Sequence, residues 1–204
     1  MTDTPGALMA AEIAEQPAML AHLLGDTGAA DDVRDRVDAA RLRFVLIAAR
    51  GTSDHAGLYA KYLAEVHMQL PAGLVSPSAL TVYGARPDMH DVLFLAVSQS
   101  GRSPDLVDSL TAARERGALT VAVTNAIDSP LAAAAEVAVD VRAGAERAVA
   151  ATKSYTAELL SLYLLLAQDR AAEAAARLPE AAAGTLALNS DERLAHVAAP
   201  FQFA

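Results

Sequence analysis

Residues 92–105 read Val92-Leu93-Phe94-Leu95-Ala96-Val97-Ser98-Gln99-Ser100-Gly101-Arg102-Ser103-Pro104-Asp105. The six apolar residues at 92–97 predict a strand buried on both faces, because a strand with one wet face would alternate apolar and polar side chains. A strand-to-helix turn follows. Gly101 lets the backbone bend, and Pro104 suits the first position of a helix, where its missing N–H would have lacked a partner anyway. The helix runs over 104–116 and meets a stop signal at Gly117. A buried strand feeding a helix in this way is half of a βαβ unit, and such units build parallel sheets.

The same alternation extends in both directions. Residues 43–48 and 119–124 are near-continuous Val, Leu, Ile, Phe and Ala and predict two more buried strands, with further strands at 73–76 and 137–141. Helices are expected at 7–24, 30–41, 54–69, 104–116 and 152–168, the first stopping at Gly25. Five strands alternating with helices predict an α/β three-layer sandwich with a five-stranded parallel sheet, flavodoxin-like in its order 2-1-3-4-5.

At 204 residues, 53% of them hydrophobic and 20% charged, the chain is long enough to bury a full core. Ala dominates the apolar share and Trp is absent. A formal net charge of -9 opposes nucleic acid and anionic membranes at long range, yet leaves room for a small anion held by local backbone N–H groups. Cysteine is absent, which removes disulfides, thiolate metal sites and cysteine nucleophiles and fits a reducing compartment. Residues 1–6 lack the features of a secretory signal, and the apolar run at 159–167 is too short to span a bilayer. The expectation is a cytoplasmic protein with no nucleic-acid or membrane partner.

Two loops carry the chemistry. After the first strand comes Ala49-Arg50-Gly51-Thr52-Ser53-Asp54-His55-Ala56-Gly57, and after the third comes Ser98 to Asp105. Each combines a glycine with hydroxyl side chains at a helix start, where the first N–H groups lack internal partners and the helix dipole favours an anion. Ser53 and Ser103 could equally be ordinary N-caps. In the order 2-1-3-4-5, however, strands one and three are neighbours whose helices leave to opposite faces, so the two richest hydroxyl loops share the switch-point crevice. Rival chemistries fail on residues: there is no G-x-G-x-x-G after the first strand, no G-K-[ST], no G-x-S-x-G elbow and no strand-terminal Asp for phosphoryl acceptance. A third segment, residues 143–153, returns to the same edge of the sheet. There Thr152 is either a helix cap or a ligand contact, and Glu146 with Arg147 either a solvated pair or part of the site. The helix beyond it is apolar on most sides, as in helices buried between layers or in a subunit interface.

Four motifs, in order and with matching spacing over residues 8–168, resemble the SIS (sugar isomerase) family, in particular the isomerase part of glucosamine-6-phosphate synthases and shorter deaminase-like relatives. They are Met9-Ala10-Ala11-Glu12-Ile13-Ala14-Glu15-Gln16-Pro17, then R-G-T-S at 50–53, S-Q-S-G-R-S-P-D at 98–105, and E-R-A-V-A-A-T-K-S-Y-T at 146–156. The resemblance implies a sugar-phosphate (carbohydrate derivative) ligand, a hexose phosphate such as fructose 6-phosphate or glucosamine 6-phosphate. It implies Ser98, Gln99, Ser100 and Ser103 as the phosphate cradle, with Gly51, Thr52 and Ser53 facing sugar or phosphate from the other side and Val149 offering backbone contact to the sugar. Arg50 stands where the synthases commonly have Cys, and Arg102 where they commonly have Glu.

The resemblance further implies ketose–aldose isomerase or deaminase chemistry by a carboxylate base, with no metal and no organic cofactor, in a homodimer. Residues 1–185 are expected to form the SIS domain. Residues 191–204 begin like the helix and strand at 31–48 and are expected, with 186–190, to open a second SIS copy. A native C-terminus with an edge strand or a swapped tail is the other reading. Catalytic residues are unassigned, being expected in that second copy, and His55 is read as a surface residue. The competing classes are a non-catalytic sugar-phosphate sensor and a scaffold subunit.

Overall fold

The computed structural model describes residues 6–167 and 171–189. The strands β1 (Phe44–Ala49), β2 (Ala72–Leu74), β3 (Val92–Ser98), β4 (Leu119–Thr124) and β5 (Val137–Asp140) form one parallel sheet in the order β2-β1-β3-β4-β5. β1 and β3 pair from Phe44 opposite Val92 to Ala49 opposite Val97, and β3 pairs with β4 up to Ser98 opposite Thr124. The three central strands therefore end level, and their loops leave from one edge.

Both faces of the sheet are buried, as the apolar runs predict. Val45, Ile47, Leu93, Leu95 and Val97 point into one core, against α2 (Gln16–Leu24), α3 (Gly28–Ala39), α4 (Thr52–Leu63) and α8 (Lys153–Leu166). Ala48, Phe94 and Ala96 point into the other, against α5 (Pro77–Thr81), α6 (Pro104–Glu115) and α7 (Pro130–Ala134). Burial of a side chain such as Phe94 or Leu106 stabilises the fold by about 1.5–3 kcal/mol. α9 (Ala171–Ala175) and α10 (Leu178–Leu188) complete the first layer, α10 lying along α2. The apolar helix α8 is buried between layers, packed on α4, α2 and α3.

Several boundaries differ from expectation for identifiable reasons. The helix expected over 7–24 is broken at Glu15 into α1 (Ala7–Ala14) and α2, because Pro17 in the first turn of α2 cannot donate to the preceding turn. The strand expected at 73–76 is the shorter β2, since Ser76 is already extended as the N-cap of α5 before Pro77. The helix expected over 54–69 starts at Thr52 and widens into a π-helical turn over Ala64–Met68, ending where Gln69 adopts a left-handed φ of 56°. Helices α5, α7, α9 and α10 carry no counterpart in the sequence reading. Gln168 and residues 190–204, on which the expected second copy rests, lie outside the described residues; α10 runs on to Leu188. Among the described residues no helix is long and apolar enough to cross a membrane.

Candidate functional site

The candidate site is the edge of the sheet at the C-terminal ends of β1 and β3, adjacent strands whose helices α4 and α6 depart to opposite faces. An ion pair joins its two lips: Arg50 Nε lies 2.8 Å from Asp105 Oδ2 in the first turn of α6. Exposed pairs of this kind contribute little stability; this one bridges the two loops.

The loop after β3 is folded by its own side chains. Ser98 Oγ, buried, accepts the Gly101 N–H at 3.2 Å, and Ser100 Oγ accepts the Arg102 N–H at 3.4 Å. Gly101 has φ 60°, and a Cβ there would collide with the Ser129 side chain, so the position requires glycine twice over. Two of the loop carbonyls are engaged by neighbouring segments: Gln99 O accepts the Asn125 N–H at 3.2 Å and the Thr124 hydroxyl at 3.4 Å, and Gly101 O accepts the Leu131 N–H at 3.1 Å. With these two acceptors engaged toward β4 and α7, the turn gathers Ser98, Ser100 and Ser103 at the start of α6, a polarity that suits an anion. Ser103 occupies the N-cap position of α6, yet its side chain makes no capping hydrogen bond. The ordinary-cap reading therefore fails for Ser103. Ser100 and Arg102 are exposed, and Gln99 and Ser103 half-buried.

Across the crevice, Gly51 caps α4 with φ 62° and leaves Thr52 exposed at its first position. Ser53 is not a cap either. It is buried, and its hydroxyl donates to Glu158 Oε1 at 2.9 Å, deep in α8. His55 is exposed in the first turn of α4.

The third segment is tied down from three sides. Asn125, at the end of β4, donates to Gly144 O at 2.7 Å and accepts the Ala143 N–H at 2.8 Å. Glu146 folds back onto the start of α8, accepting the N–H groups of Thr152 at 2.8 Å and Ser154 at 3.2 Å and the hydroxyls of both residues. Burial pushes its carboxyl up, and these hydrogen bonds outweigh burial and hold it below its ordinary pKa. Glu146 is thus the cap of α8 and not a solvated partner of Arg147, and Thr152 is capped instead of capping. Finally α1 and α2 reach over the segment. Glu12, buried, accepts the Arg147 N–H at 2.5 Å and the Ala148 N–H at 3.2 Å; Glu15 pairs with the buried Lys153; and Thr156 Oγ1 donates to Gln16 Oε1 at 2.9 Å. Held in this way, Val149 stands fully exposed at the tip.

Gly51, Thr52, Ser53, Ser98, Gln99, Ser100 and Ser103 thus lie on the two facing loops, and Val149 on the third. Glu12, Glu15, Gln16, Asn125 and Glu158 form the support that sequence reasoning left without a role. Among the described residues no three of His, Asp and Glu are grouped to hold a metal ion. An apolar groove of about 580 Å³, lined by Leu20, Tyr59, Tyr155, Leu159, Tyr163 and Leu178, lies between the helices of the first layer and offers no comparable set of polar groups.

Residues 41–168 match the SIS domain. The chain belongs to the SIS domain family. This SIS domain is 37% identical over 184 residues to a glutamine–fructose-6-phosphate aminotransferase (isomerizing) of Gloeobacter violaceus, the match covering 86% of this chain and 30% of that protein. A candidate phosphosugar isomerase from Silicibacter pomeroyi, known from its crystal structure, shares 40% identity with a TM-score of 0.80, over 87% of this chain and 56% of that one. The C-terminal domain of a glucosamine–fructose-6-phosphate aminotransferase from Francisella tularensis has the same fold, with a TM-score of 0.71 at 24% identity over 90% of this chain and 55% of that one. The SIS domain described here spans about a third of the curated aminotransferase and about half of the solved chains.

Proposed function

We propose that this SIS domain binds a hexose 6-phosphate, fructose 6-phosphate or glucosamine 6-phosphate, as the sugar-holding part of an isomerase or deaminase. The observation that supports the reading is the turn at 98–103, where the Gln99 and Gly101 carbonyls are engaged by β4 and its following loop and by α7, and where Ser98, Ser100 and Ser103 gather at the start of α6. The phosphate sits there, taking hydrogen bonds from Ser98, Ser100 and Ser103 and the backbone at Gln99, with the α6 dipole adding favourable charge. Gly51, Thr52 and Ser53 meet the ligand from the β1 side, and the backbone at Val149 closes on the sugar.

The reaction assigned to the whole protein is interconversion of ketose and aldose phosphates by proton transfer between adjacent carbons, with or without gain or loss of ammonia. Similarity to an isomerizing aminotransferase and to a candidate phosphosugar isomerase supports that class. The share of these residues is to bind and orient. A ³¹P NMR titration tests the ligand site: fructose 6-phosphate shifts and broadens on adding the protein, and Ser100→Ala weakens the effect. An unchanged resonance at millimolar protein would refute the reading.

A further inference from the structure

Glu158 sits in the middle of the apolar helix α8 with 1% of its surface exposed, and among the described residues no cation pairs with it. Its hydrogen-bond partner is Ser53, on the β1 lip of the crevice, at 2.9 Å. A buried charge without a counter-ion is costly, which favours the neutral, proton-holding form of this carboxyl.

A serine hydroxyl carries one proton. When Glu158 is ionised it can only accept, so the Ser53 proton points at Glu158 and the lone pairs of Ser53 face outward, against an anion. When Glu158 is protonated its own O–H can donate to Ser53 Oγ, which frees the Ser53 proton for a ligand. We infer that Glu158 is a positioning residue that sets the direction of the Ser53 hydroxyl, so that binding of an anionic sugar ligand at the crevice takes up one proton at Glu158. The inference rests on the hexose-phosphate reading given above.

The surroundings agree. Burial raises the carboxyl, the Ser53 hydrogen bond lowers it, Glu146 raises it, and the balance stands at about 7. Charged groups on the other elements packed against α8 are engaged elsewhere or exposed: Arg34 on α3 bonds Leu164 O and Asp31, Lys61 on α4 pairs with Glu65, and His67 in the π-helical turn meets Tyr163 edge-on; on α8 itself Lys153 pairs with Glu15. His22 on α2, Asp54 and His55 on α4 and Glu173 on α9 are exposed. The coupling is reciprocal: ligand favours the proton as much as the proton favours ligand.

Calorimetric titration of the protein with fructose 6-phosphate at pH 8, in two buffers of different ionisation enthalpy, counts the protons. Wild type is expected to take up close to one proton more than Glu158→Gln, whose side-chain amide can donate to Ser53 without taking up a proton. Between pH 7.5 and 8.5 wild-type affinity falls about tenfold relative to that variant, the titration of the ligand itself cancelling between the two. Ser53→Ala, which keeps Glu158 and removes the relay, gives the same low proton count as Glu158→Gln and guards against a folding defect in either. Tight binding with equal proton counts in all three proteins overturns the inference alone. Absence of binding in wild type overturns the ligand reading and the inference with it.

Discussion

Glu12 accepts the backbone N–H of Ala148 through both carboxylate oxygens, at 3.3 and 3.2 Å, across 136 residues of sequence. With the Arg147 N–H at 2.5 Å, this contact makes α1 a clamp on the loop that carries Val149. The break at Glu15 lets the same short stretch serve three targets, Glu12 holding the loop, Glu15 holding Lys153 and Gln16 holding Thr156.

Glu12→Ala leaves two amides without their acceptor and is expected to cost about 1–3 kcal/mol in urea unfolding. Glu12→Gln recovers part of the loss, since one acceptor oxygen remains while the new amide N–H group meets donors. Equal stability of all three proteins would show that the clamp is idle.

Gly101→Ala combines a left-handed backbone with a Cβ driven into Ser129, and is expected to destabilise by about 1–3 kcal/mol. Thermal melting checks it. Gly184→Ala, on α10 with open space around its Cα, is the control and is expected to be neutral or slightly stabilising.

Stability should depend on pH through Glu158. Its folded pKa of about 7 lies above the ordinary 4.5, so between these values the folded state holds a proton that the unfolded state has released. Stability is therefore full below about 4.5, falls as pH rises toward 7 and levels off above it. Relative to Glu158→Gln, wild type is expected to lose about 2–4 kcal/mol between pH 4 and 8. Urea midpoints of the two proteins at both pH values measure this, and parallel pH profiles would contradict it.

Ser98→Ala and Ser100→Ala are each expected to weaken hexose-phosphate binding by about 1.5–3 kcal/mol, the worth of a hydrogen bond to a charged group. Ser98→Ala should also lower stability, because it strips the buried acceptor of the Gly101 N–H. Ser109→Ala, whose hydroxyl bonds Asp105 O at 2.6 Å within α6, leaves affinity unchanged. Isothermal calorimetry separates the three.

The sheet was legible because β1, β3 and β4 are buried on both faces and so read as near-continuous apolar runs, while β2, three residues at the edge, carried almost no signal and was misplaced by one or two positions. Glycines and hydroxyls marked both lips of the crevice because turn chemistry is local. The support was not legible. Glu12 and Glu158 act on partners 135 and 105 residues away, and nothing near either residue names the partner. One hint existed: a lone carboxylate in the Leu-rich run of α8 breaks a pattern that a helix buried purely for packing would keep. Asn125 was missed for the same reason, since its two bonds to residues 143 and 144 exist only once β4 and β5 have paired.

If the 98–103 turn holds the phosphate of a sugar phosphate, thermal denaturation with fructose 6-phosphate and with fructose, each at equal concentration, will tell the two ligands apart. The phosphate ester is expected to raise the melting temperature, with stabilisation of about 2.7 kcal/mol at one hundred times its Kd, while the free sugar leaves it unchanged. Equal shifts from the two sugars, or none from either at tens of millimolar, would contradict it.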